Sequence, residues 1–448
     1  MKTLITASFI VLLALCLPGC RATPTTTAAR KPLPATQPEP ALTAAERQGE
    51  LDSFDKVWTT IRDRHFDPKY NGVDWEAARV ELRPKVENAR TASEAHAAIH
   101  NLLEKLHQTH FGIIPKAAYE KLAVGSKANG VSGIDLRVVD GHALVTSVEP
   151  DSGGAKAGVK PGWELIAVRD QQAAESIEKI SQAFEESTLK EIMLSRTLVG
   201  QLRGDIGTSV PATFVDGAKR TVTVEVPMQE PTGTAAQFGK MPTVYVHYDS
   251  KILPGSDVGY IYISAFLAPD IVTKFRESIE RFKDSTSGLV IDVRGNPGGI
   301  GAQAMGIGNL LVSQRDQKLG TMTMRTGSIN FVLNPQSVTY TKPVAVLVDG
   351  CSGSTSEILA QGLRDLGRAQ VFGTATAGAA LPSTITDLPN GDGFQYAFAN
   401  YTSYGGDVLE GRGVQPDQVV PLTRAGLLSG HDEPLDAALR WIASQNRK

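Results

Sequence analysis

The sequence predicts a multidomain α/β protein, and three changes of pattern along its 448 residues carry that expectation. Apolar residues recur at helical spacing within 46–125. Short β-branched runs separated by glycine turns fill 126–230. Strand-like and helix-like segments then alternate over 240–448 with no further break in composition. The sequence shows no internal repeat, and 231–239 reads as a linker.

With 41% hydrophobic and 21% charged residues, the chain has the composition of a globular protein long enough for two or three cores. Its formal net charge of -3 is close to neutral. There is no basic domain, no interleaving of aromatic with basic residues and no zinc-like cysteine spacing, so nucleic acid is not an expected partner.

The first twenty residues, MKTLITASFIVLLALCLPGC, read as a secretory signal: a lysine, a short apolar run, then small residues before a cysteine. Leu17-Pro18-Gly19-Cys20 resembles a bacterial lipobox, which implies lipidation of Cys20 and a membrane anchor. The implied location is the bacterial cell envelope, on the periplasmic side. An ordinary cleaved signal is the plainer alternative. Residues 21–45 are rich in Thr, Pro and Ala and read as a disordered tether. With Cys16 removed and Cys20 acylated, Cys351 has no intramolecular partner.

Helical spacing of Leu51, Phe54, Val57, Trp58 and Ile61, and of Ala97, Ile99, Leu102, Leu103 and Leu106, predicts a small helical domain over 46–125. His65, His96, His100 and His107 lack carboxylates at metal-ligand spacing, so they read as core or surface side chains and no metal is expected. In the β-rich part, Gly133-Ile134-Asp135-Leu136 and Ala157-Gly158-Val159-Lys160-Pro161-Gly162 resemble a PDZ domain. That resemblance implies that 126–230 binds extended peptides at an open sheet edge, with residues 133–136 holding the terminal carboxylate. Trp163 stands where the family usually has aspartate. A small glycine-rich β domain that binds nothing is the alternative.

In the last region, LVIDVRGNPGG (289–299) is a buried strand ending in a turn opened by Gly295, Gly298 and Gly299. It lacks a Walker lysine and GxGxxG spacing, so no nucleotide or other cofactor is expected. LVDGCSGSTSEILAQ (347–361) runs a strand into a turn crowded with hydroxyls and then into a helix. Ser354 with Glu357 fits a capping box, and the same place suits a nucleophile at a helix N-terminus.

These two stretches, the second extended through GLRDLGRAQVFG, and LEGRGVQPD (409–417), in this order, resemble the C-terminal-processing and tricorn-type family of serine peptidases, tail-specific-protease-like enzymes with a PDZ domain. The resemblance implies a crotonase/ClpP-like α/β peptidase core over 240–448 with Ser354 as nucleophile. Many members place a base lysine downstream, where this chain has Ala379 within Thr376-Ala377-Gly378-Ala379-Ala380. The tricorn branch uses histidine and glutamate, which fall on His110 in LEKLHQTHFGIIP (103–115) and on Glu410, acting directly or through another hydroxyl. His107 competes for the base role. Gly298, Gly299 and Thr355 are the implied oxyanion donors, and Cys351 reads as a buried thiol. The implied activity is that of an exported serine endopeptidase cleaving polypeptides, with no metal or cofactor. The alternatives are a catalytically inactive envelope scaffold that binds peptides, and a non-proteolytic enzyme acting on acyl thioesters.

Overall fold

The computed structural model describes residues 39–121, 126–238 and 241–447. The signal-like segment with Cys20, and the tether up to residue 38, lie outside the described residues. Three helices open the described chain: α1 (Ala44–Arg64), α2 (Trp75–Glu87) and α3 (Ala92–Glu104). Thr43, Asp74 and Thr91 start them, each accepting a backbone N–H of the first turn. Their apolar stripes meet: Phe54, Val57, Trp58 and Ile61 pack with Trp75, Leu82, Val86, Ile99 and Leu102. A short strand, β1 (Gly112–Ile114), follows.

The β-rich region is an antiparallel sheet of β2 (Ile134–Val139), β3 (His142–Val148), β4 (Glu164–Val168), β5 (Ser209–Val215) and β6 (Thr221–Pro227), in that spatial order. Two helices, α4 (Ala173–Ala183) and α5 (Lys190–Gln201), lie between β4 and β5 in sequence, and α5 packs along β2. Within the stretch that reads as a linker, Thr234–Ala236 pairs antiparallel with Val244–Val246.

The remaining chain contains β7 (Tyr248–Ile252), β8 (Val258–Ile263), α6 (Ile271–Ser285), β9 (Gly288–Asp292), α7 (Gly301–Gly308), β10 (Gln317–Met324) and β11 (Gly327–Leu333). It continues with β12 (Val344–Val348), α8 (Thr355–Asp365), β13 (Ala369–Gly373), β14 (Ser383–Asp387), β15 (Gly393–Ala397), β16 (Ala399–Ser403), β17 (Gln418–Val419) and α9 (Glu433–Gln445). The central sheet runs β7-β8-β9-β12-β13-β17, parallel from β8 onward. β9 and β12 are buried at every position because helices cover both faces. Leu289 and Ile291 face the core formed with Phe275, Ile279 and Phe282 of α6, whereas Val290, Ala345 and Leu347 face Ala438 and Ile442 of α9.

Two features of this frame position the site. The turns at 293–299 and 349–354 both leave the carboxyl ends of neighbouring parallel strands, β9 and β12, where α/β sheets bind their ligands. In addition, β15 pairs antiparallel with both β1 and β14, and its Phe394 enters the core of the helical region. The N-terminal helices are therefore sewn to the far end of the chain.

Phe275 is fully buried on the apolar face of α6. Phe275→Ala is expected to lower unfolding stability by about 3–5 kcal/mol, read from the urea midpoint at unchanged slope.

Candidate active site

The hydroxyls crowded into the 352–356 turn have different partners. Ser352 Oγ donates to Val293 O (2.7 Å), Thr355 Oγ1 to Gly299 O (2.9 Å) and Ser356 Oγ to Asn296 O (2.9 Å). These three bonds pin the nucleophile-like turn to the glycine turn after β9. Ser354 alone donates its hydroxyl proton to no group among the described residues. Its backbone sits at φ 53°, a region a non-glycine residue occupies only when its surroundings hold it there.

Glu357 is what holds it. Its carboxylate, fully buried, accepts Ser354 N–H (2.7 Å), Thr376 Oγ1–H (2.5 Å), Gly378 N–H (2.8 Å) and Ala379 N–H (3.1 Å). Burial pushes its pKa up to about 7 against these four donors, which favour the charged form. The capping reading of Glu357 is therefore too small: the same carboxylate also fixes the 376–380 strap that passes beside the turn.

The strap leads to Glu410. Ala380 N–H donates to Glu410 Oε2 (3.1 Å), and Thr109 contributes both its N–H, to Oε1 (2.7 Å), and its hydroxyl, to Oε2 (2.9 Å). Burial, opposed by the Thr109 and Ala380 donors and reinforced by the Glu357 charge, pushes Glu410 up to about 7. Thr109 Oγ1 also lies 2.5 Å from His110 Nδ1. A hydroxyl has one proton, so when it serves the Glu410 carboxylate, Nδ1 must be the donor to Oγ1. The neutral ring then carries its proton on Nδ1, and its lone pair is on Nε2. Burial lowers the His110 pKa to about 3, which keeps the ring neutral, and Nε2 is buried with no hydrogen-bond partner in the chain. One hydrogen-bonded path thus runs from Ser354 through Glu357, the strap, Glu410 and Thr109 to His110, although Ser354 Oγ and His110 Nε2 are not themselves bonded.

The competing histidine is elsewhere: His107 is exposed. The Cys351 thiol is buried and pushed up to about 12 by that burial, so it is a poor nucleophile. Ala379, in the lysine position, is buried with Cys351 and Ala377 against Ile192, Met193 and Leu194 of the β-rich region. Arg137 of β2 reaches the same turn, donating to Asp349 Oδ2 (2.8 Å), while Asp349 Oδ1 accepts Gly295 N–H (2.8 Å) and Cys351 N–H (3.0 Å).

Two expectations need correction. Gly298 N–H is already occupied by Asn296 Oδ1 (2.9 Å), so it is not available to an oxyanion. Gly298 instead lets the turn approach the helix start, since a Cβ there would lie 2.8 Å from Ser354 Cβ and 3.0 Å from Thr355 N. The Gly299 and Thr355 N–H groups carry no bond within the described chain. The edge expected at 133–136 is also not open throughout: Leu136 O accepts Ser195 Oγ–H of α5 (2.8 Å) and Arg137 Nη1–H (3.0 Å). Gly133 has φ 69°, Ile134 and Leu136 are buried in the sheet core, and Asp135 pairs with Arg137 (2.9 Å). Among the described residues no group of acidic, histidine or cysteine side chains could hold a metal ion.

Comparison with known proteins agrees with this architecture. Residues 257–420 match the model of Peptidase family S41, and residues 47–103 that of the Tricorn protease C1 domain. A carboxyl-terminal-processing protease of Picosynechococcus is 27% identical over 381 residues, covering 83% of this chain and 83% of its own. The chloroplastic carboxyl-terminal-processing peptidase 3 of Arabidopsis thaliana is 25% identical, covering 81% of this chain and 67% of its own. Carboxy-terminal processing protease CtpB of Bacillus subtilis is 25% identical over 86% of this chain and 71% of its own. Among solved structures, the photosystem II D1 C-terminal processing protease superposes with a TM-score of 0.57 at 22% identity, over 89% of this chain and 97% of that one, and shares its fold.

Glu357→Gln turns an amide NH2 toward two of the four donors. It is expected to lower stability by about 1–3 kcal/mol in urea unfolding, more than Glu357→Asp. With the glycine turn, the hydroxyl-bearing helix start and these relatives together, residues 257–420 form a serine peptidase domain of family S41, and the chain is similar to the carboxyl-terminal-processing proteases.

Proposed function

We propose that the chain is an exported serine endopeptidase in which Ser354 is the nucleophile, His110 the general base and Glu410 the orienting acid, acting through Thr109. The observation that carries this reading is the Thr109 hydroxyl bridging Glu410 and His110 Nδ1, which leaves Nε2 as an unoccupied base. In the first half-reaction, Ser354 Oγ bonds to the scissile carbonyl carbon as its proton passes to Nε2. The resulting oxyanion is received by the N–H groups of Gly299 and Thr355. Nε2–H then protonates the leaving amine as the C–N bond breaks. Water repeats the sequence on the acyl-enzyme, which releases the acid and restores Ser354. His110 Nε2 has no hydrogen-bond partner in the chain, and the reaction requires it to come within hydrogen-bond reach of Ser354 Oγ. The imidazolium formed in each step is stabilised by Glu410 through the threonine.

The substrates are polypeptides, and the names of the relatives favour C-terminal segments. The β-rich region serves as a PDZ-like peptide site once an incoming strand displaces Ser195 from Leu136 O. Export and lipidation at Cys20 rest on the N-terminal sequence, and the location that follows is the periplasmic side of the bacterial envelope. The absence of the lysine keeps a catalytically inactive scaffold as the alternative, and the Thr109–His110–Glu410 group favours catalysis by offering a base without it.

A fluorophosphonate probe is expected to label the wild type and not Ser354→Ala; equal labelling of both would remove Ser354 from the mechanism. Thr109→Val keeps the shape and removes the link, and is expected to lower kcat by about 10²-fold with KM little changed. Glu410 is protonated as pH falls through about 7 and then no longer accepts the Thr109 proton as a carboxylate. The kcat/KM profile should therefore fall on the acid side of about pH 7, and Glu410→Gln should abolish that limb; a profile flat to pH 5 would contradict the assignment.

A further inference from the structure

The base loop is strained: His107 has φ 50° and His110 φ 65°, and such conformations persist only where the surrounding structure enforces them. Glu410 grips the loop at Thr109. The other grip lies beyond β1, where the Lys116 N–H donates to Asp392 Oδ1 (2.8 Å). Asp392 immediately precedes β15, whose register with β1 pairs Gly393 with Ile114 and Gln395 with Gly112. Its second oxygen, Oδ2, lies 2.9 Å from His96 Nε2 of α3 and accepts Asn390 Nδ2–H (2.9 Å). Glu50 of α1 completes the cluster, 3.6 Å from the same ring nitrogen and bonded to Asn390 Nδ2 (3.0 Å).

We propose that the half-buried His96, paired with the buried Asp392, is a positioning latch that clamps β1, and with it the His110 loop, onto the helical region; this rests on the reading of His110 as the base. Asp392 is 4% and Glu50 5% exposed, so two carboxylates are withdrawn from water side by side. They require a cation, and His96 supplies it. The titratable groups that bear on His96 are Glu50 from α1, Asp392 from the β14–β15 turn and Glu39 from the segment before α1. Although burial opposes charge on the ring, bonds to Asp392 and Glu50 raise His96 to about 9. Because the folded value lies above the ordinary histidine value of 6.5, the latch contributes fully below pH 6.5 and is lost as pH rises through about 9. None of these groups lies in the proposed chemistry, so they act only through Asp392 and β1.

The test is amide hydrogen exchange with and without the latch, alongside fluorophosphonate labelling, on the full chain. At pH 8, His96→Gln should raise exchange of residues 107–116 about tenfold while β9 and β12 stay protected. Its labelling rate and kcat should fall about tenfold with KM unchanged. Wild type moved from pH 8 to pH 10, corrected for intrinsic exchange, should loosen the same segment, and His96→Gln should show no such change. The pH comparison decides the matter even if the variant folds poorly. Unchanged protection of 107–116 in both arms overturns the latch, and so does loosening with wild-type labelling. Absence of labelling in the wild type would instead defeat the peptidase reading, leaving exchange to decide whether the latch clamps the segment.

Discussion

The Thr109 hydroxyl has a single proton, and the site depends on where it goes. Given to Glu410, it forces His110 to carry its own proton on Nδ1 and frees Nε2. The bond joins residues 301 positions apart in the chain, so it exists only when the helical region and the C-terminal part of the core are docked. β1 pairing with β15, and Phe394 packing among the helices, enforce that docking. Burial lowers the His110 pKa to about 3 and raises that of Glu410 to about 7, a combination that leaves the ring neutral beside a carboxylate above neutral pH.

The second constraint is the meeting of two turns at the ends of adjacent parallel strands. Three hydroxyl-to-carbonyl bonds tie the 352–356 turn to the 293–299 turn, and Asp349 ties both to Arg137 of the β-rich region. The strain at Ser354 is sustained by Glu357, which accepts Ser354 N–H and also three donors from the strap that Glu410 touches. At Ala379, where the family resemblance implies a lysine in many members, the backbone N–H supports Glu357 and the side chain is buried in a cluster with Ile192, Met193 and Leu194 of α5. The departure from the lysine pattern is thus accommodated by packing, with no cavity needed for a long side chain.

The sequence carried the fold because the relevant signals are local. The apolar runs of β9 and β12 report burial on both faces, and the periodicity of α1 and α3 reports one. Motifs drew attention to Thr109, His110, Ser354 and Glu410, but no spacing rule shows that the threonine lies between Glu410 and His110. The hydrogen-bond partners of these groups were illegible for the same reason. Asn296 occupies the Gly298 N–H two residues away through a turn whose conformation the sequence does not dictate. Ser195 reaches Leu136 O only because α5 packs on β2. His96 reads as an ordinary helix histidine until residue 392 is folded beside it.

The imidazole of His110 gives the most direct check. With nitrogen-15 histidine labelling at pH 8, His110 is expected to carry its proton on Nδ1 and to leave Nε2 unprotonated, and to lose this preference in Thr109→Val. A ring protonated on Nε2 in the wild type, or a tautomer indifferent to Thr109, would contradict this assignment.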